Sequence, residues 1–152
     1  MRREYFMSCL LFWGFFCSSC YFTSQRHNSY GDKKDGEKTV GTYFSNMILE
    51  KEELNKILFS KEFLNETNFE TFLKNQQYIE QKLGKMLGKE LESWETSVVS
   101  GTQSKSEYLF VFKVEREKHN SKETFYLIKD KNDSIKIRNY KLESEGLLKP
   151  DE

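Results

Sequence analysis

The heptapeptide Tyr108-Leu109-Phe110-Val111-Phe112-Lys113-Val114 decides the fold class, because it alternates between two sets of side chains. Large apolar side chains occupy its first, third, fifth and seventh positions, whereas the other set includes the charged Lys113. Successive side chains of a β-strand point to opposite faces of a sheet, so this pattern predicts a strand with one buried face. We place this strand at residues 107–118.

Three further segments carry strand signals, at residues 91–100, 123–129 and 134–143. Polar turn residues at 119–122 and 130–133 separate the last three strands. Short connections of this kind join antiparallel neighbours. The sequence therefore predicts a four-stranded antiparallel meander.

Upstream of Gly88 the apolar residues recur at spacings of three and four, which is the period of an amphipathic helix. This pattern predicts helices over residues 38–49 and 52–59, and a long helix from its N-cap Asn68 to Gly88. Residues 60–66 are predicted to form a turn. Helices followed by a run of strands are typical of an α+β fold, with the N-terminal helices packed on the sheet.

The first twenty residues have the parts of an export signal. A positively charged start precedes an uncharged apolar stretch at residues 5–16, and small residues then lead to a cysteine. The end of this segment, Ser18-Ser19-Cys20, resembles a bacterial lipobox. We therefore predict that residues 1–19 are a lipoprotein signal peptide and that Cys20 carries acyl chains such as palmitate.

An uncleaved membrane anchor and an ordinary cleaved signal are the alternatives for this leader. Residues 5–22 contain no charge, and this run approaches the roughly 20 residues of a membrane-spanning helix. The lipoprotein interpretation predicts a protein of the bacterial cell envelope that a lipid anchors to the membrane.

The chain divides into three predicted parts: the signal peptide, a lipidated cysteine with a flexible tether at residues 20–36, and one α+β domain at residues 37–149. Residues 21–36 are polar, contain two glycines and show no period, as is typical of linkers.

The 24 Lys and Arg residues balance 24 Asp and Glu residues. This balance provides no positive field for nucleic acid, so we predict no nucleic-acid partner.

Several segments occur in an order that resembles a known group of domains. They are Lys82-Leu83-Gly84-Lys85, the strand with Trp94, and the stretches 108–114, 123–130, 137–142 and 143–148. This order is similar to that of small bacterial exported domains of unknown function with a cystatin-like or nuclear-transport-factor-two-like fold. The resemblance covers roughly residues 38–148. It implies helices in the curve of a four-stranded antiparallel sheet and implies no particular activity.

The sequence offers little catalytic chemistry. All three cysteines lie in the leader, and the two histidines, His27 and His119, fall in the tether and in a polar turn. We find no metal-ligand spacing, no glycine-rich phosphate loop and no serine with a histidine base. We therefore predict no catalytic residues, no metal site and no cofactor.

Six glutamates fall in or beside the predicted strands: Glu92, Glu95, Glu107, Glu115, Glu117 and Glu123. Most of them alternate with apolar residues, so we predict that they face solvent. Their expected partners are lysines of the same sheet: Lys113, Lys118, Lys122 and Lys136. A catalytic pair would instead need one carboxyl group in an apolar setting that raises its pKa.

Aromatic residues are concentrated on the predicted strands. Trp94, Tyr108 and Tyr140 each combine an apolar ring with a polar tip, which suits the mouth of a ligand pocket between sheet and helices. The alternative is that these rings belong to the core, because a domain without disulfides needs a large buried apolar area.

These observations favour a binding domain over an enzyme. Its predicted partners, besides the membrane, are a protein of the envelope or a small apolar ligand. The rival hypothesis is a small hydrolase or isomerase that uses Glu95 or Glu107 with Tyr108 as an acid–base pair in the sheet–helix pocket. A homodimer joined through the open sheet face is a third hypothesis.

Overall fold

The computed structural model of the chain describes residues 24–101, 104–130 and 132–148. The predicted signal peptide at residues 1–19 and the predicted lipid site Cys20 lie outside these residues. Within them, no helix combines the length and the apolar character needed to cross a membrane.

In the described residues, five strands form one antiparallel sheet, and each strand pairs with the next one along the chain. They are β1 (Ser24–His27), β2 (Met86–Ser100), β3 (Lys105–Arg116), β4 (Ser121–Lys129) and β5 (Ile135–Glu143). The α+β prediction is confirmed, since the helices precede the four long strands of a meander. The predicted number of four strands is wrong, because β1 adds a fifth at the edge.

The helices lie between β1 and β2 in the chain. They are α1 (Tyr30–Ile48), a 3₁₀ helix (Glu52–Leu58), α2 (Lys61–Glu66) and α3 (Phe69–Leu83), and a short 3₁₀ turn (Glu145–Leu147) follows β5. Their buried side chains form one core with the sheet face that carries Phe110, Phe125 and Ile137.

Strand β1 occupies part of the predicted tether. Its four residues, Ser-Gln-Arg-His, are polar and exposed, so no hydrophobic alternation marks them as a strand. The edge of β2 holds them: the Asn28 N–H donates to the Thr96 carbonyl, and the Thr96 N–H donates to Asn28 Oδ1, both at 2.9 Å. Helix α1 then begins at Tyr30. Residues 24–36 are thus part of the fold, which differs from the flexible tether predicted for residues 20–36.

Helix α3 ends at Leu83, earlier than the predicted stop at Gly88, and the residues after the turn belong to β2. Gly84 makes this turn with a φ of +82°, a conformation that favours glycine. A Cβ there would lie 2.7 Å from Glu117 Cβ. The Leu83 carbonyl accepts the Lys118 N–H at 3.0 Å, so the end of α3 is tied to the turn after β3.

The two short signals before α3 have different outcomes. Asn68 Oδ1 accepts the Glu70 N–H at 2.8 Å, which confirms the predicted N-cap. Residues 60–66, predicted as a turn, contain α2, and Ser60 Oγ caps that helix by accepting the Phe63 N–H at 3.2 Å. A six-residue helix is too short to display a 3.6-residue period.

An aromatic layer forms the core between α1 and the sheet. Tyr43 and Phe44 of α1 are fully buried, as are Phe110 and Phe125 of the sheet. The ring centroids of Phe44 and Phe125 are 5.3 Å apart, in an edge-to-face arrangement that contributes about 0.5–1.5 kcal/mol beyond area burial. Tyr43 also meets Phe59 edge-on at 6.3 Å. Two adjacent residues of α1 are both buried because this helix lies between the sheet and the chain that follows the 3₁₀ helix.

Gly36 sets how closely α1 approaches the sheet, because a Cβ there would lie 2.5 Å from Phe110 Cε2. We expect Gly36→Ala to lower the free energy of unfolding by about 1–3 kcal/mol through overpacking. Gly41→Ala is the matched control on the same helix: its Cβ would meet no atom within 4 Å, so it should raise the free energy of unfolding by roughly 0.5–1 kcal/mol. Denaturant unfolding followed by circular dichroism measures both, and equal effects would contradict the close approach.

Candidate functional site

The three aromatic residues predicted at a pocket mouth lie on the helix-facing side of the sheet but are spread across it. Tyr108 is 2% exposed and belongs to the core. The Tyr140 ring packs 5.7 Å from the Tyr43 ring. Trp94 is half-buried, and Lys33 Nζ lies 5.5 Å from the centroid of its ring. Because Trp94 in β2 and Tyr140 in β5 are three strands apart, about 14 Å separates them, too far to share one small pocket mouth.

The prediction that the strand glutamates face solvent is confirmed for Glu92 and wrong for Glu123. Glu92 Oε1 lies 3.4 Å from Lys113 Nζ, and its Oε2 lies 2.9 Å from Lys122 Nζ. Glu123, by contrast, is 0% exposed and lies on the core face of β4. Its position two residues before Phe125 in the strand alternation is the sequence signal that could have placed it inside.

A buried polar network surrounds Glu123. Arg116 Nη2 donates to Glu123 Oε1 at 2.7 Å, and Ser121 Oγ donates to the same oxygen at 3.1 Å. The Tyr140 hydroxyl donates to Glu123 Oε2 at 3.0 Å. Arg116 Nε in turn donates to Ser121 Oγ at 3.1 Å. Both carboxylate oxygens therefore have partners, and the guanidinium of Arg116 balances the charge.

Two tyrosine hydroxyls border this network. Burial, followed by the negative charge of Glu123, raises the pKa of Tyr43 and the pKa of Tyr140 well above the usual tyrosine value. The Tyr43 hydroxyl is buried and has no hydrogen-bond partner among the described residues. A small cavity of about 110 Å³ beside this region is lined by Arg116 and not by Glu123. The Glu123 carboxylate is therefore buried, and both of its oxygens already accept hydrogen bonds. This arrangement suits a structural role better than proton transfer.

Glu95, Glu107 and Tyr108, the residues of the predicted acid–base pair, line a shallow depression of about 410 Å³ that also includes His27 and Tyr126. No residue of a described helix lines it, and Glu95 and Glu107 alternate with the core-facing Trp94 and Tyr108, so the two carboxylates lie on the sheet face away from the helices and not in the predicted sheet–helix pocket.

Glu107 in this depression accepts a hydrogen bond from the Tyr126 hydroxyl and pairs with Lys105 Nζ at 2.9 Å. Both contacts lower the pKa of Glu107, whereas burial and the Glu107 contact raise the pKa of Tyr126 to about 12. A general base or acid is most effective with a pKa near the working pH, so neither group is tuned for that task.

A larger cleft of about 660 Å³ opens beside the β4–β5 turn. The 3₁₀ helix, α2, β4 and β5 form its walls. We call it the basic cleft, and it is lined by Lys56, Ile57, Phe59, Ser60, Lys61, Glu62, Leu64, Ile128, Lys129, Asp130, Asn132 and Lys136. Its volume lies within the range of about 300–1,000 Å³ that is typical of small-molecule sites.

Four lysines and two acids give the basic cleft its charge. Lys136 Nζ donates to the Ile57 carbonyl at 2.7 Å, which joins β5 to the end of the 3₁₀ helix. Lys129 pairs with Asp133 at 2.7 Å, and Lys56 Nζ lies 5.9 Å from the centroid of the Phe69 ring. The positive side chains thus surround a cleft whose interior includes isoleucine, leucine and phenylalanine side chains.

The two acids of the basic cleft are held by the backbone. Asp130 Oδ1 accepts the Ser134 and Asn132 N–H groups, each at 2.9 Å, and these bonds lower the pKa of Asp130. A backbone N–H bond and a hydrogen bond with Ser60 lower the pKa of Glu62. Both carboxylates stay ionised at neutral pH, with part of their hydrogen-bonding capacity already used.

Sequence reasoning missed both the basic cleft and the buried pair. The cleft joins Ile57 to Ile128 and Lys136, which are far apart in the chain. In the described residues, no three His, Cys, Asp or Glu side chains are grouped so that they could hold a metal ion.

Comparison of the chain with protein-family models, with curated proteins and with solved structures finds no match.

Glu123→Gln should lower the free energy of unfolding by about 3–5 kcal/mol, because the amide leaves the buried guanidinium of Arg116 without a counter-charge. Adding Arg116→Met to that variant should restore at least half of the loss. Glu92→Gln, at the exposed ion pair, is the control and should cost at most about 1 kcal/mol. Denaturant unfolding measures all three. An equal decrease in the free energy of unfolding for Glu92→Gln and Glu123→Gln would show that the buried ion pair is no more important for stability than the exposed one.

Proposed function

We propose that this chain is a lipoprotein of the bacterial cell envelope, anchored to the membrane through Cys20, whose domain binds a small apolar ligand without catalysing a reaction. The observation that carries the proposal is the basic cleft, about 660 Å³ in volume, with apolar side chains from three elements inside it. Apolar interiors with a few polar groups are typical of ligand sites. An envelope protein is the second proposed partner, and nucleic acid is not a proposed partner.

Two exposed residues support a binding role for this region. Ile57 at the cleft is 73% exposed and the neighbouring Leu54 is 55% exposed. Exposed apolar side chains that adjoin a cleft are covered when a ligand or partner binds, and this burial favours association.

The cystatin-like or nuclear-transport-factor-two-like classification is also part of the proposal. Helices packed on one face of an antiparallel meander are the feature that supports it.

A small hydrolase or isomerase is the alternative. The observation that favours it is that Glu95, Glu107 and Tyr108 line one depression. We prefer the binding function because the Glu107 carboxylate is already engaged by Tyr126 and Lys105, which lower its pKa.

The proposed anchor predicts a loss of membrane attachment in Cys20→Ala, because the thiol is the atom that would carry the acyl chains. Wild type should enter the detergent phase in Triton X-114 partitioning, and the variant should shift toward the aqueous phase or stay as an unprocessed precursor of higher mass. Metabolic labelling with an alkyne fatty acid should mark only the wild type. If both proteins partition and label alike, the lipid is not on Cys20.

The proposed ligand site predicts that apolar small molecules co-purify with the full-length protein in mild detergent and depend on the cleft. Ile57→Asp introduces a charge at the cleft and should reduce the amount of bound ligand seen by mass spectrometry at least about fivefold. Leu87→Asp is the matched control, since Leu87 is 60% exposed on β2, away from the cleft. Equal retention in the two variants would reject the basic cleft as the ligand site.

A further inference from the structure

We infer that the basic cleft takes a single-chain lipid with an acidic head group, drawn from the membrane to which the chain is anchored. A fatty acid and an acidic lysophospholipid share this chemistry. The inference rests on the proposed function, because it names the ligand class of the same site.

The interior of the cleft suits an acyl chain. Phe59 is 3% exposed and borders the cleft together with Leu64 and Ile128. Ile57 stands at the cleft with most of its side chain in water. An acyl chain that passes Ile57 toward Phe59 would remove apolar surface from water on both the ligand and the protein, which is the main favourable contribution to such binding.

The charges around the cleft suit an acidic head group. Lys61 interacts electrostatically with the carboxylates of Glu62 and Asp130, and the four lysines of the basic cleft outnumber its two acids. Asp130 is already bonded to backbone N–H groups of the β4–β5 turn. A carboxylate or phosphate beside Lys61 would gain a charge-assisted contact. A neutral amphiphile would make no such contact.

The fold places the cleft at the end of the sheet where the chain enters it. Ser24, the first residue of β1, pairs with Ser100 at the end of β2, and Glu107 near the start of β3 pairs with the cleft residue Ile128. Three residues separate Ser24 from Cys20, so the two Cα atoms are at most about 14 Å apart. A lipid on Cys20 would therefore hold this end of the sheet at the bilayer surface, within reach of membrane lipids.

Photo-crosslinking in membranes that contain the full-length protein tests the inference. The acidic probes are hexadecanoic acid and a lysophosphatidylglycerol, each with a diazirine in its chain. The comparison probes are the corresponding hexadecanol and lysophosphatidylcholine, which carry no net charge. Mass spectrometry of the digested protein then locates the labelled peptides. We expect at least one acidic probe to label residues 56–64 and 128–136 about fivefold more than its neutral counterpart.

Matched variants connect the labelling to the cleft. Lys61→Glu and Ile57→Asp should each reduce cleft labelling at least about fivefold, while Lys61→Arg should retain it. Lys74→Glu on α3 and Leu87→Asp on β2 make the same chemical changes at exposed positions outside the cleft and should leave labelling unchanged. Thermal unfolding of every variant, followed by circular dichroism, verifies that reduced labelling does not come from a lost fold.

The outcomes separate this inference from the proposed function. Equal cleft labelling by acidic and neutral probes would overturn the acidic head group while ligand binding at the cleft stands. Labelling spread over the whole protein, unaffected by Ile57→Asp, would overturn both. Equal losses in Lys61→Glu and Lys74→Glu would show that the head group is not held at the cleft.

Discussion

The close contact between α1 and the sheet is the constraint on which the other elements depend. Gly36 lets the helix backbone approach the Phe110 ring, and this approach brings Tyr43 and Phe44 into the aromatic layer. Phe59, which follows the 3₁₀ helix, contacts Tyr43 of the same layer edge-on. The 3₁₀ helix is therefore followed by a residue that packs on a layer whose spacing one glycine permits.

A buried ion pair lies within the core. Arg116 of β3 and Glu123 of β4 face each other across a hairpin, and Tyr140 of β5 binds the same carboxylate. Burying two charges is unfavourable unless both have partners, and here hydrogen bonds surround them. The network links three strands at the end of the sheet where the β3–β4 turn lies. The contacts of Glu123 with Arg116 and Tyr140 therefore join β4 to the strands on both sides of it.

The basic cleft lies at the opposite end of the sheet, beside the β4–β5 turn. The cleft forms where the chain leaves the 3₁₀ helix, because Lys136 binds the Ile57 carbonyl while Ser60 starts α2. These contacts fix the walls but leave Ile57 exposed to water. The buried polar network thus lies at one end of the sheet, and the basic cleft, the proposed ligand site, lies at the other.

The sequence by itself determined the strands with period-two alternation, the N-cap at Asn68 and the α+β order, because these signals lie within a few neighbouring residues. It also carries the leader that motivates the proposed anchor. Only the tertiary structure decided that β1 joins the sheet, that Arg116 and Tyr140 bind the inward-facing carboxylate of Glu123 and that a cleft unites Ile57 with Ile128. Strand pairing at an edge, the partners of a buried charge and the shape of a cleft all depend on contacts between different elements, which local periodicity does not encode.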